Sequence, residues 1–344
     1  MNYKISVIIP VYNAESTLKT SINSIINQSI GFENIEVIIV NDKSTDNSKS
    51  IIEEYCHKYK NIIGIHLDKN SGFPGKPRNI GIEKATTPYL IFLDADDEYY
   101  PHAFEIYYKT ITNENSDMVM ASHHWNLDNE MVKVRILHEC DDTSDLININ
   151  PQLNKQTFNM TTYYNVAPWG KIFNKQFIIN KNIRFLEDSL SEDAYFYYKL
   201  ILNTKRITLL PNEILYKYNI IESKNSIIHT HNLKTFNNFL KGAKKVINLF
   251  NDCKYGCKHP VRASLYSLLL LFSNLKLKDK KDNIQKLYEF EKSIPEEIYI
   301  PRKEIKIMND QILKHHFTRA IIISEIYSKL YNNATIKRLY RKTR

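Results

Sequence analysis

The sequence predicts an α/β fold: a mostly parallel, Rossmann-like sheet flanked by helices, followed by a smaller helical subdomain. Three observations lead there. Short β-branched runs alternate with helical or loop stretches near the N-terminus, the pattern of βα units that build a parallel sheet. One apolar run ends abruptly in carboxylates, Leu90-Ile91-Phe92-Leu93-Asp94-Ala95-Asp96-Asp97, at the strand end where open α/β sheets receive ligands. Beyond residue 230 the apolar periodicity turns helical and stays so.

Taken in order, the segment from Met1 to Pro10 enters an apolar run within a few residues. It lacks the long apolar stretch and small-residue cleavage site of a leader, and reads as a first strand. Leu18, Ile22, Ile25 and Ile26 then fall at helical spacing behind Asn13, a cap-type residue. Residues 35–40 form a second strand, and residues 44–60 a second helix ending in basic side chains. Residues 62–67 and 89–93 are further strands, and 117–121 and 160–220 mix aromatic strands with short helices. Helical patterning then covers 236–250, 261–277, 283–290 and 311–330. These readings place one domain at residues 1–225 and a helical subdomain at 226–344. In the last helix Ile312, Ala320, Ile323, Tyr327 and Leu330 make a stripe that Phe317, Ile321 and Ile322 widen. So broad an apolar face needs a partner, either the first domain or another copy of the chain.

The chain of 344 residues, 43% of them hydrophobic, is long enough to bury a full core. Lys and Arg (47) exceed Asp and Glu (38), a formal charge of +9 that favours anionic partners. The basic residues are dispersed rather than gathered with aromatics, which argues against a nucleic-acid binder. The tail residues Lys337, Arg338, Arg341, Lys342 and Arg344 suit a solvated end or contact with an anionic membrane surface. No apolar run approaches the roughly 20 residues that span a bilayer, so a soluble or peripheral protein is expected. Cys56, Cys140, Cys253 and Cys257 lack the second ligand pair of a structural zinc site and read as free thiols of a reducing compartment.

Four motifs carry chemistry. Alternation along an extended chain sends Asp94 and Asp96 to one side, where their mutual repulsion is relieved by a hard divalent cation, Mn2+ or Mg2+. A solvated acidic turn is the plainer alternative. Asp42, in Val40-Asn41-Asp42-Lys43-Ser44-Thr45-Asp46, also stands at a strand end and fits either a hydrogen bond to a base imide or a helix cap. Arg78 lies in Asn70-Ser71-Gly72-Phe73-Pro74-Gly75-Lys76-Pro77-Arg78-Asn79, a Gly/Pro-rich loop leading into a helix. Its guanidinium suits a diphosphate, while the absence of G-x-x-x-x-G-K-[ST] argues against a P-loop ATPase. Glu192 and Asp193 open an aromatic helix. They fit dipole-matching residues of a first turn, or, for Asp193, a base facing an attacking hydroxyl.

In their order and spacing these motifs resemble the family 2 glycosyltransferases, which carry the GT-A fold. Ser6-Val7-Ile8-Ile9-Pro10-Val11-Tyr12-Asn13 is similar to the opening strand of that family, and the Asp42 segment to its nucleotide loop. Asp94-Ala95-Asp96 is similar to the D-x-D metal motif, and Glu192-Asp193 to the E-D base motif. The stretch 70–79 and Ser191-Glu192-Asp193 further resemble staphylococcal wall teichoic acid N-acetylglucosaminyltransferases. Ile300-Pro301-Arg302 and the helix after it resemble a shorter phage-encoded type whose C-terminal helices form a trimer. The resemblance implies a UDP-sugar site made by Pro10, Tyr12, Asp42, Arg78, Asp94 and Asp96, with Asp193 as base. It also implies an anionic glycopolymer or lipid-linked acceptor, a cytoplasmic location, peripheral at the inner membrane face, and a homo-oligomer, specifically a trimer. Where those enzymes place a His after the aromatic strand, this chain reads Glu222-Ser223-Lys224-Asn225-Ser226, leaving His229 or His231 to substitute for it. Alternatives are a transferase for capsule, exopolysaccharide or lipid-linked oligosaccharide, a nucleotidyltransferase, and a catalytically silent sugar-nucleotide-binding assembly protein.

Overall fold

The structure is a computed structural model. It describes residues 3–127, 130–136, 145–162, 164–220, 232–251, 253, 255, 258–292, 312, 318–321 and 323–324. The expected boundary at 225/226, His229 and His231, Cys140 and Cys257, the Ile300-Pro301-Arg302 run, most of the helix expected at 311–330 and the basic tail lie outside the described residues. The chain divides into two compact units, Met1–Asp188 with Glu192–Glu222, and Ser189–Ser191 with Ser223–Arg344.

In the first unit, β1 (Ile5–Val11), α1 (Leu18–Ile26), β2 (Ile35–Asn41), α2 (Ser48–Lys58), β3 (Ile62–His66), α3 (Gly75–Lys84) and β4 (Tyr89–Phe92) follow the expected alternation. After them come β5 (Glu98–Tyr99), α4 (Ala103–Glu114), β6 (Met118–Leu127), β7 (Glu130–Val134) and β8 (Ile147–Ile149). The unit closes with α5 (Lys155–Thr162), β9 (Lys171–Asn174), α6 (Lys175–Asn180), α7 (Glu192–Ile201) and β10 (Ile207–Ile220). The strands form one sheet in the order β3-β2-β1-β4-β9-β6-β10-β5, with β7 on β6 and β8 on β10. Pairing is parallel from β3 to β4 and antiparallel where β9 enters between β4 and β6. Parallel order thus holds from β3 to β4, is broken at β9, and returns between β6 and β10.

Six of the seven residues of β1 and all seven of β2 are buried, because a parallel strand covered on both faces carries an unbroken apolar run rather than an alternating one. Glu36 lies within β2 at 2% exposure. Its carboxylate accepts from Ser6 Oγ at 2.5 Å and from the Thr86 amide and hydroxyl at 2.9 Å each, which offsets the cost of burying the charge. Two local expectations need correction. Asn13 does not cap α1, whose N-cap is Thr17. Asn13 adopts a left-handed φ of 51° and its Oδ1 accepts from the Thr45 amide at 2.8 Å, joining the loops after β1 and β2. Strand geometry also stops at Phe92, and the Asp97 amide donates to the Asp94 carbonyl at 3.1 Å. The acidic run is therefore a turn, and strand alternation does not orient it.

The second unit contains α8 (Leu233–Asn248), α9 (Lys258–Ser273) and α10 (Leu277–Lys292). Phe236, Leu240, Ala243 and Ile247 make the buried stripe of α8, and Val261, Leu265, Leu268 and Phe272 that of α9, at the spacing that keeps one helical face inward. Ile312, Ala320 and Ile321 join this core. Among the described residues no helix is long and apolar enough to cross a membrane. Cys56 and Cys253 are free thiols.

Candidate active site

The strand ends of the parallel half gather the predicted residues. Pro10 is the last residue but one of β1, beside its partner Val40, and Tyr12, just beyond the strand, is 53% exposed. Asp42 is buried and caps no helix. Its carboxylate accepts from the Ser71 amide at 2.8 Å and the Ser71 hydroxyl at 2.7 Å, while Asn70 Nδ2 donates to the Asp42 carbonyl at 2.9 Å. Asp42 therefore pins the Gly/Pro-rich loop to the end of β2, using part of the capacity assigned to a nucleobase.

That loop delivers α3, and α3 delivers Arg78. Gly75 begins the helix with its backbone against Leu186, so close that a Cβ would stand 1.8 Å from the Leu186 carbonyl oxygen. Asn79 locks the same contact, its Nδ2 donating to the Phe185 carbonyl at 3.0 Å and its Oδ1 accepting from the Phe185 amide at 2.9 Å.

Arg78, 4% exposed, is the hub. One terminal nitrogen donates to Asp94 Oδ1 at 2.8 Å, the other to Glu192 Oε1 at 3.1 Å, and the guanidinium carbon lies 5.4 Å from the centroid of the Phe185 ring. Burial opposes its charge, but Asp94 and then Glu192 more than offset this and its pKa rises. Arg78 thus ties the turn after β4 to the first residue of α7, an arrangement that its expected role toward a diphosphate did not include.

The three carboxylates of the turn differ. Asp94 keeps a quarter of its side chain open while bound to Arg78. Asp96 is exposed at its edge, and its carboxyl is pushed up to about 6, first by loss of solvent around it and then by Asp94. Asp97 is fully buried, accepting from the Tyr216 hydroxyl at 2.7 Å and the Asn219 amide at 2.8 Å. Desolvation, then Asp96 and Asp94, raise its pKa well above the usual range. The repulsion felt by Asp96, and the open oxygens of Asp94 and Asp96, fit a hard divalent cation. Among the described residues no three His, Cys, Asp or Glu side chains gather into a complete cage.

Asp193 is half-buried in the first turn of α7, Oδ1 accepting from the Ala194 amide at 2.7 Å. Desolvation raises its pKa, Arg78 lowers it and Asp94 raises it again. Neighbouring Glu192 is pushed up to about 7 by burial and by Asp193, with Arg78 opposing. The base candidate and the D-x-D turn thus share one electrostatic neighbourhood centred on Arg78.

Sequence reasoning did not single out an aromatic wall beside this cluster. Trp169 stacks on Tyr216 at 4.6 Å and on Tyr218 at 5.3 Å, with His123 edge-on at 4.9 Å. Lys171, buried behind Trp169, was missed as well. Trp169 was legible only as one aromatic among many, and its partners lie some fifty residues on in β10.

The profile of Glycosyl transferase family 2 matches residues 6–178. Minor teichoic acid biosynthesis protein GgaB of Bacillus subtilis is 30% identical over 91% of this chain and 33% of its own length. A poly(ribitol-phosphate) beta-glucosyltransferase of Bacillus spizizenii is 40% identical over 34% of this chain and 19% of its own. The chain thus spans a third or less of these relatives. The crystal structure of residues 1–349 of S. aureus TarS in complex with UDP-GlcNAc shares the fold, with a TM-score of 0.68 at 21% identity over 95% of this chain and 92% of that one. With the profile covering half the sequence and the GT-A sheet behind it, the chain belongs to glycosyl transferase family 2.

Proposed function

We propose that the protein is an inverting, divalent-cation-dependent glycosyltransferase. It transfers a sugar, N-acetylglucosamine as the first candidate, from a UDP-sugar to a hydroxyl of a polyribitol-phosphate wall teichoic acid at the cytoplasmic face of the membrane. The observation that carries this reading is the Arg78 bridge, which joins Asp94 to Glu192 and so brings Asp193 into the field of the D-x-D turn. Names among the relatives support the acceptor class: teichoic acid biosynthesis for GgaB and a poly(ribitol-phosphate) acceptor for the Bacillus spizizenii enzyme.

In this reading Tyr12 and Pro10 flank the uracil, Asp42 meets its imide, and Asp94 and Asp96 hold the cation. When bound, the cation neutralises the diphosphate and stabilises the charge it gains as the glycosidic bond breaks. Arg78 keeps Asp94 in place and contributes positive charge to the same region. Asp193 takes the proton of the acceptor hydroxyl as that oxygen bonds to C1 from the face opposite the diphosphate. UDP departs with the electron pair of the broken bond, and no covalent enzyme intermediate is needed. Its partial exposure gives Asp193 access to an acceptor, and the +9 charge of the chain suits a polyanion.

The test is Asp193→Asn. Donor binding by calorimetry should persist while turnover on purified polyribitol phosphate falls by about a hundredfold or more. Parent-like turnover would remove Asp193 as the base. Activity on neutral glycans alone, insensitive to salt, would remove the polyanionic acceptor.

A further inference from the structure

The segment that leads into α7 is gripped at two places. Phe185 and Leu186 are held from α3, by Asn79 and by the close approach of Gly75. Ser189–Ser191 belong instead to the second compact unit, and Glu192 returns the chain to the first. Within that second unit α8 buries two faces. Phe236, Leu240, Ala243 and Ile247 meet the helical core, whereas the buried Thr235, Gly242 and Val246 lie roughly 110° round the helix from them. Gly242 meets the segment on this second face. A Cβ there would stand 1.7 Å from the Leu190 carbonyl oxygen and 3.4 Å from Ser191 Cβ. The nearer atom is backbone, so no side-chain rotation would relieve the clash. Ser189 is fully buried. Ser191 adopts a left-handed φ of 67°, a conformation that serine enters only where its surroundings impose it. Its hydroxyl is buried with no hydrogen-bond partner among the described residues, so no bond from its own side chain holds that conformation.

We infer that Gly242 is a positioning residue for the base: α8 clamps the Leu190-Ser191 backbone, and the clamp fixes where α7 begins and so where Asp193 stands. The inference rests on Asp193 being the base. Asp193 follows Ser191 by two residues, and the residue between them, Glu192, is itself tied to Arg78. So short a path transmits a displacement of the Leu190 carbonyl, and misplacing a reacting group by about 1 Å can cost about a hundredfold in rate. By this route a glycine of the helical region acts on turnover without touching substrate.

Gly242→Ala tests the clamp. Leu268→Val, which trims the core of α9 and adds no atom at the clamp, is the control for lost stability. Hydrogen exchange reads the clamp without reference to catalysis. Residues 189–195 should exchange about tenfold faster in Gly242→Ala and near the parent rate in Leu268→Val. Parent-like exchange in Gly242→Ala overturns the inference, as does equal acceleration in both variants. In turnover assays on folded protein, Gly242→Ala should lower kcat by about tenfold or more with the donor KM within about twofold, and Leu268→Val should stay within about twofold of the parent in both. Parent-like kcat in Gly242→Ala, or equal losses in the two variants, overturns the inference. If Gly242→Ala does not fold, position 191 decides. Glycine accepts a φ of 67° and valine resists it, so kcat in Ser191→Gly should exceed that in Ser191→Val by about fivefold or more. Equal kcat in those two overturns the inference. Parent-like turnover in Asp193→Asn would instead overturn the base assignment, and exchange over residues 189–195 would still decide whether Gly242 holds the segment.

Discussion

Replacing Arg78 with methionine keeps most of the side-chain volume and removes the charge, leaving Asp94 and Glu192 facing each other across the space it filled. Removing one member of a buried ion-pair cluster costs about 3–5 kcal/mol, because the partners stay desolvated without compensation. For a unit of roughly 200 residues this converts to a fall in Tm of about 6–20 °C. The Arg78→Met deficit should depend on pH in a defined direction. Glu192 is already raised to about 7 with Arg78 present, and without it the folded pKa rises further. A carboxyl with a raised folded pKa binds more protons folded than unfolded across the interval between its two pKa values. Its burial is therefore tolerated at low pH and becomes destabilising as pH rises through the folded value. Melts followed by circular dichroism should show the Arg78→Met gap widest at about pH 8 and narrower at about pH 6. A variant melting within about 2 °C of the parent at both pH values would refute the bridge as the link between the D-x-D turn and α7.

Further outcomes follow from the same geometry. Gly75→Ala should lower stability by about 1–3 kcal/mol or more, since the new methyl meets the Leu186 carbonyl, and should reduce turnover by displacing Arg78; unchanged melts would show that the helix start can shift freely. Asp96→Asn, or a chelator on the parent protein, should abolish turnover, with Mn2+ or Mg2+ restoring the chelated parent alone; full activity in chelator would refute a cation at this turn. Tyr12→Ala should weaken UDP binding by about fivefold to tenfold, a stacking loss of about 1–1.5 kcal/mol, leaving the fold intact because the ring is exposed; unchanged affinity in calorimetry would remove the stacking role.

The apolar runs of β1, β2 and β4, the carboxylates that follow β2 and β4 and the helical character of the C-terminal region could be read from the chain directly. Periodicity and burial on both faces of a parallel sheet are local properties written residue by residue. Asp94, Asp96 and Asp193 could be named as a set for the same reason, since each ends or begins a recognisable element. The antiparallel entry of β9 could not be read, because strand neighbours depend on contacts between segments far apart in sequence. Nor could the partners of Arg78. A guanidinium near a helix start is equally suited to phosphate and to carboxylate, and only the fold brought Glu192, 114 residues away, within 3.1 Å of it. Asp97, read as one more acid in a run, became a buried acceptor for Tyr216 and Asn219, and Lys171, one of 47 basic residues, became a buried cation beside α7. The sequence by itself determined which chemical groups stand at the strand ends. The tertiary structure decided which of them pair and which stay open, because charge pairing falls off with distance in space and is indifferent to separation along the chain.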